Sequence, residues 1–171
     1  MIWTRLSLVL FLALSVFCMT WSGPASAATT TTTTTTTTVI PTPTTLPGGT
    51  VITASAAKTL LDAKTAVFFD VRSSSAYSAG HIPGTANVHY TQRSLKTTTF
   101  DATLDQFDLT ALPATKSATI VFYSNGINGW RSYKAAILAI RQGYTNVRWL
   151  RGGMVDWVAA KYSVESAPAG I

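Results

Sequence analysis

The chain has 171 residues, with 13 Lys and Arg against seven Asp and Glu, which gives a formal net charge of +6. Between residues 109 and 155 there are basic residues and no acidic ones, so the sequence favours an anionic partner, although a solvated basic surface would explain the same excess. Nucleic acid is not expected, because no nucleic-acid-binding motif is present. The single cysteine, Cys18, excludes an intrachain disulfide.

The first 27 residues have the three parts of a secretory signal peptide. A positively charged start, residues 1–5, precedes an apolar run over residues 6–18 and a small-residue site at residues 25–27. We expect cleavage after Ala27, which would make the protein secreted or periplasmic, without stable membrane insertion. The alternative is an uncleaved anchor, but the run is shorter than the roughly 20 residues of a membrane span. Cleavage would also remove Cys18 and leave no thiol.

Residues 28–50 have the composition of a linker. Ten consecutive threonines at residues 29–38 are followed by a segment with three prolines and two glycines. Such a sequence supplies little apolar surface to bury, so it predicts an extended, disordered spacer, which could also carry O-glycans. The folded domain is then expected over residues 51–165, with a tail at residues 166–171.

From residue 51 onward, short apolar segments alternate with amphipathic ones. The strands are predicted at residues 51–52, 66–71, 86–89, 119–123 and 147–150. The helices are predicted at residues 54–63, 73–78, 130–142 and 154–160, with one more near residues 104–112 in an otherwise long loop that begins at residue 91. This alternation predicts a single α/β domain with a five-stranded parallel sheet and helices on both faces.

The fourth strand leads into the candidate site. A polar, glycine-containing loop separates it from the helix that begins at Trp130. Glycines allow backbone N–H groups to converge, and a helix N-terminus adds partial positive charge, so an anion pocket is predicted here. Its residues are Ser124, Asn125, Gly126, Ile127, Asn128, Gly129, Trp130 and Arg131.

Trp130 is interpreted as a wall of the pocket rather than core. Arg131 can point at a bound anion or brace the loop. With Lys134 and Arg141 it forms a helical stripe that could equally be a solvent face.

Several motifs, in order along the chain, resemble the rhodanese-like family. They are D-V-R at residues 70–72, Tyr77, G-H-I-P-G-T-A-N at residues 80–87, the loop above, G-Y-T-N-V at residues 143–147 and G-G-M-V-D-W at residues 152–157. The resemblance covers about residues 51–162 and implies the family fold. It also implies mainly structural roles for Asp70, Arg72 and His81, which would hold loops and the G-H-I-P-G turn together.

Rhodaneses carry sulfane sulfur as a persulfide on a cysteine, the first residue of this loop. The loop is most similar to that of a secreted subgroup with F-Y-C-N-G, a second cysteine and W-R-S-Y-K. Here Ser124 and Gly129 stand at the two cysteine positions. A serine oxygen cannot hold a transferable sulfane sulfur, and a hydroxyl is a far weaker acid than a thiol, whose pKa is about 8.5.

Together with the predicted signal peptide, the missing cysteine favours an exported, non-catalytic module that binds a small anion or a protein partner. One alternative is an enzyme that depends on a partner's thiol, either an atypical sulfurtransferase or a phosphatase-like relative. The other is a purely structural module. Serine hydrolysis is disfavoured. Of the only two histidines, His81 is expected to hold the G-H-I-P-G turn and His89 has no evident orienting carboxylate, and no nucleophile-elbow motif is present. No cofactor or metal is predicted.

Overall fold

The structure, a computed structural model, describes residues 39–166. The predicted signal peptide, the threonine run and residues 167–171 of the predicted tail lie outside the described residues. No helix between residues 39 and 166 has the length and apolarity needed to cross a bilayer.

One sheet of five strands organises the described chain, in the order β1-β5-β4-β2-β3, and every strand pair is parallel. The strands are β1 (Thr50–Ile52), β2 (Val67–Asp70), β3 (Ala86–Asn87), β4 (Ile120–Tyr123) and β5 (Val147–Leu150). All four residues of the central strand β4 are buried, as its continuous apolar run indicates. The predicted α/β fold with a five-stranded parallel sheet is confirmed.

Helices cover both faces of the sheet. They are α1 (Ala54–Asp62), α2 (Ser74–Ala79), α3 (Trp130–Arg141) and α4 (Gly153–Ala159). Because successive strand residues point to opposite faces, the sheet contributes to two cores. Phe122 and Trp149 belong to the core with residues of α3, whereas the other core joins Tyr123 to residues of α1 and α4.

The helix expected near residues 104–112 is replaced by two short 3₁₀ turns, Ala102–Leu104 and Leu109–Ala111. Asp101 and Asp108 each accept the backbone N–H group two residues further on. These local Asx hydrogen bonds favour tight turns over a continuing helix. The prediction of one helix in this stretch is wrong for that reason.

The structure also differs from the predicted disordered linker at its C-terminal end. Residues 40–46, here called the strap, have no helix or strand, but they pack against the domain. Thr42 is buried, and Leu46 belongs to the core that contains α3. The prolines of this segment restrict its backbone, which lowers the entropic cost of ordering it, and Leu46 supplies apolar surface to bury.

Candidate functional site

The predicted site lies at the carboxyl end of β4, where loop 124–129 leads into α3. Ser124 is buried, with 3% of its surface exposed. Its Oγ lies 3.0 Å from Ser132 Oγ and 3.3 Å from the carbonyl oxygen of Gly129. Ser132 is fixed in turn by Trp149, whose Nε1 donates to its Oγ at 3.0 Å. The Ser124 hydroxyl is thus anchored by neutral groups.

The start of α4 holds the first two carbonyls of the loop. The N–H groups of Met154 and Val155 donate to the carbonyl oxygens of Ser124 and Asn125, each at 2.9 Å. Gly153 makes this approach possible: its φ is +54°, and a Cβ atom there would lie 2.1 Å from the Ser124 oxygen. Gly153, the first residue of α4, therefore has a direct structural role at the site.

Three further loop carbonyls accept hydrogen bonds from the loop itself and from the first turn of α3. The Gly126 oxygen accepts from Gly129 N at 2.7 Å, and the Asn128 oxygen accepts from Trp130 N at 3.0 Å. The Gly129 oxygen accepts from both N and Oγ of Ser132. These bonds close the loop on itself.

The remaining carbonyl, that of Ile127, accepts from the N and Oγ1 of Thr42 in the strap, at 2.9 and 2.6 Å. All six loop carbonyls are therefore occupied. In contrast, within the described chain, five nearby backbone N–H groups donate to no protein acceptor. They belong to Asn125, Gly126, Ile127, Asn128 and Arg131. A loop with occupied carbonyls and unused N–H groups is suited to an anion.

A cavity of about 230 Å³ lies against this loop. Its lining residues are Arg72, Gln92, Lys96, Ser124, Asn125, Asn128, Gly129, Trp130 and Arg131. Three of them are cations, and none of these described lining residues is acidic. The cavity therefore brings together six of the eight predicted loop residues and adds positive charge from two other segments. Gly126 and Ile127 line a second, adjoining cavity instead.

Asp70 and Arg72 form a buried pair, with Arg72 Nη2 at 2.6 Å from Asp70 Oδ2. Asp70 also accepts the Arg72 backbone N–H, and Arg72 Nη2 donates to the Gly80 carbonyl. Asn87 donates to the backbone oxygens of both residues. These hydrogen bonds connect Asp70 and Arg72 to the neighbouring backbone, and Arg72 also lines the cavity.

His81 has no place at the cavity. Its Nδ1 lies 2.9 Å from the Tyr77 carbonyl oxygen, its ring stacks on Tyr77, and its backbone pairs with that of Glu165. His89 lines a different surface pocket. Within the described chain, the hydrogen-bond partners of Ser124 Oγ are Ser132 and the Gly129 carbonyl, and neither is a histidine.

Trp130 is both a wall of the cavity and part of the core. It lines the cavity, yet it is 4% exposed and packs edge-on against Tyr133 in the core. Trp149 and Trp157 are fully buried in the two cores.

Lys134 contradicts the solvent-facing stripe, because it is fully buried. Its Nζ lies 2.5 Å from Ser94 Oγ, 3.2 Å from the Ser94 carbonyl oxygen and 3.4 Å from Asp105 Oδ2. Burial lowers the pKa of Lys134, and the Asp105 carboxylate offsets only part of that change. The ion pair fixes the segment that carries Gln92 and Lys96 to the cavity.

Sequence reasoning missed Gln92 and Lys96, as well as Ser94 and Asp105 behind them. Asp105 accepts hydrogen bonds from the backbone N–H groups of Arg93 and Ser94, from Ser94 Oγ and from the Tyr90 hydroxyl. The signal available in the sequence was three acidic residues, Asp101, Asp105 and Asp108, in a polar stretch without apolar periodicity. That signal does not predict which segment crosses the site.

A model of the rhodanese-like domain matches residues 53–160, more than half of the chain. The chain belongs to the rhodanese-like domain family. No curated protein matches the sequence.

Several solved structures have the same fold. The Alr3790 protein from Anabaena sp. is 24% identical over 68% of this chain and 81% of that one, with a TM-score of 0.52. BH2092 from Bacillus halodurans is 20% identical, with coverage of 68% and 77% and a TM-score of 0.52.

A thiosulfate sulfurtransferase from Pseudomonas aeruginosa is 22% identical over 73% of this chain, with a TM-score of 0.54. The chain spans only 22% of the length of that enzyme. At such identities these structures establish the shared fold.

The loop of this protein thus joins a buried strand to the N-terminus of α3, with the buried hydroxyl of Ser124 at its start. Residues 39–166 contain no cluster of three histidine, cysteine or acidic side chains that could hold a metal ion.

Proposed function

We propose that this protein is an exported rhodanese-like module that binds an anion, free or carried by a protein partner, and does not transfer sulfur on its own. The supporting observation is the loop at the end of β4, where carbonyls are occupied, five N–H groups are unused and three cations line the cavity. The absence of a thiol at Ser124 supports the lack of sulfur transfer. The N-terminal sequence supports export.

The cavity chemistry favours a compact oxyanion. Backbone N–H groups and guanidinium groups both donate to oxygen. Arg131 can present a planar pair of donors, whereas Nε and Nη2 of Arg72 are already bonded to Asp70 and the Gly80 carbonyl, so Arg72 contributes mainly its charge. Sulfate, phosphate and thiosulfate share this chemistry, and a sulfated, phosphorylated or carboxylate side chain of a partner presents it as well. The neutral surroundings of Ser124 add hydrogen bonding without negative charge.

The direct test is calorimetric titration of the full chain with sulfate and with thiosulfate, together with the thermal shift. At tenfold excess over a millimolar Kd, binding stabilises the folded state by roughly 1.4 kcal/mol. Arg131→Gln should weaken binding about tenfold, since a charge-assisted hydrogen bond is lost. Arg141→Gln is the matched control, because it removes the same charge from the same helix at a residue that does not line the cavity.

An unchanged melting temperature with both anions, and no binding heat, would contradict the anion module and favour a purely structural domain. Equal losses in the two arginine variants would indicate a general charge effect instead of a site.

The alternative function is a sulfurtransferase that uses the thiol of a partner protein. The same cationic cavity supports it, because thiosulfate is an anion. It predicts thiocyanate formation from thiosulfate and cyanide only when a thiol-bearing partner is added. Turnover by the purified chain alone, at a rate comparable to a sulfurtransferase, would overturn the proposal of a non-catalytic module.

A further inference from the structure

One loop carbonyl depends on a segment outside the region that the family model matches. Five of the six carbonyl oxygens of loop 124–129 accept hydrogen bonds from donors within residues 53–160. The carbonyl of Ile127 is the exception, because its donors are the backbone N–H and the side-chain hydroxyl of Thr42. The strap therefore completes the hydrogen bonding of the loop.

This carbonyl matters because of the peptide unit to which it belongs. The Ile127 carbonyl and the Asn128 N–H are parts of one planar trans peptide and point in opposite directions. By holding the carbonyl, Thr42 directs the unused Asn128 N–H away from the strap. Without Thr42, the peptide could rotate and present a carbonyl oxygen, which repels an anion, where an N–H group had been.

Other contacts hold the strap in place on either side of Thr42. Arg151 donates to the carbonyl oxygens of Thr42 and Pro43, at 2.9 and 2.7 Å. Trp130, a cavity residue, donates from Nε1 to the carbonyl oxygen of Ile40 at 2.8 Å. Leu46 is buried in the core. Thr42 is only 3% exposed, so water does not readily replace its bonds.

We infer that the strap is a positioning element of the anion site: its attachment keeps the loop in the shape that binds an anion, and a bound anion stabilises the attached strap. This inference rests on the proposed function, whose site it extends beyond the family boundary. Coupling between strap attachment and anion binding is reciprocal. Attachment of the strap should therefore raise the anion affinity by the same factor by which a bound anion raises the equilibrium constant for strap attachment.

The test uses full-length variants with matched controls and inorganic sulfate as the probe. Thr42→Val removes one donor to Ile127 while keeping the shape of the side chain, and Thr44→Val makes the same change at an exposed strap residue. Arg151→Met removes both bonds to the strap carbonyls. Arg148→Met is its control, because Arg148 instead donates to Thr50 Oγ1.

We expect Thr42→Val and Arg151→Met to weaken sulfate binding about threefold to tenfold, the effect of one or two hydrogen bonds. The controls should stay within about twofold of the unmodified chain. Saturating sulfate should slow hydrogen exchange at the Thr42 amide, which is bonded to Ile127. Equal sulfate affinity in a variant and its control, with no change in Thr42 exchange, would overturn the inference.

A measurement without ligand separates this inference from the proposed function. The amides of Gly129 and Trp130 are bonded inside the loop, so they report its shape. Their exchange should accelerate in Arg151→Met and not in Arg148→Met. If sulfate binds no variant yet this difference appears, the anion function fails and the positioning role of the strap stands. If the two variants exchange alike, the strap does not position the loop.

Discussion

The Ser124 hydroxyl occupies the space that a side chain at residue 129 would need. A Cβ atom on Gly129 would lie 1.8 Å from Ser124 Oγ and 2.8 Å from the Gly126 carbonyl oxygen. Both contacts are far inside van der Waals distance. Residues 124 and 129, at which the family resemblance implies cysteines, are therefore sterically linked, and the backbone that closes on Ser124 is compatible with glycine at 129.

Gly129→Ala should consequently destabilise the protein by about 1–3 kcal/mol, the usual cost of overpacking a buried site. The measurement is denaturant unfolding of the variant. Part of the cost comes from the hydroxyl, so the double variant with Ser124→Ala should lose less stability than the sum of the two single changes. Strict additivity would show that the Ser124 hydroxyl is not the obstacle.

Ser124→Cys should restore persulfide chemistry in part. The unused loop N–H groups and the adjacent cations should lower the pKa of the new thiol below its ordinary value of about 8.5. The thiolate would attack the sulfane sulfur of thiosulfate, forming an S–S bond, while sulfite leaves with the electron pair of the broken bond.

Mass spectrometry after thiosulfate treatment should show the gain of one sulfur atom. The control is Ser132→Cys, fully buried behind Ser124 and absent from the cavity lining. An adduct on both variants, or a folded Ser124→Cys protein that never takes up sulfur, would contradict the idea that the loop retains a working geometry.

The sequence predicted the sheet and the loop because their signals are local. Buried apolar runs specify β2, β4 and β5, and glycines beside polar residues specify the turn into α3. Lys134 could not be placed in the same way. Its helical spacing fits a solvent face, and only a tertiary partner 29 residues away, Asp105, explains why it is buried.

The strap was misassigned for a related reason. Its composition is that of a linker, and a threonine beside prolines gives no apolar periodicity. The strap is ordered by hydrogen bonds to residues more than 80 positions further along the chain. The bond from Thr42 to the Ile127 carbonyl is one of them. Pattern-based reasoning has no access to contacts at that separation.

Lys134→Met should lower the free energy of unfolding by about 1–3 kcal/mol, because the buried Ser94 carbonyl and hydroxyl lose a charged donor. It should also weaken sulfate binding, since the segment carrying Gln92 and Lys96 is no longer fixed to α3. Lys161→Met is the control, an exposed position far along the chain from this network. Equal unfolding curves for the two variants would show that the buried ion pair contributes no net stability.

Asp105 should make the fold sensitive to acid. Burial raises the pKa of this carboxyl, but hydrogen bonds from Ser94, Tyr90 and Arg93 outweigh burial and hold the pKa well below its usual range. Because the pKa of Asp105 is lower in the folded than in the unfolded state, the ionised carboxylate stabilises the fold at pH values above the unfolded-state pKa of about 3.9. This stabilisation is lost as the pH falls from that value toward the folded-state pKa. Asp105→Asn should therefore be less stable than the unmodified chain near neutrality, and the gap should narrow on acidification.

Tyrosine variants test the cause of this acid sensitivity. Tyr90→Phe removes one of the hydrogen bonds to Asp105, so the pKa of the carboxyl should be less depressed. The free energy of unfolding of this variant should therefore depend less strongly on pH in the acid range. Tyr144→Phe is the matched change, because its hydroxyl donates to the Pro113 carbonyl and does not touch Asp105. Unfolding free energies measured from about pH 6 down to about pH 3 should separate the two variants. A parallel pH dependence in both would show that the hydrogen bonds to Asp105 do not set its pKa.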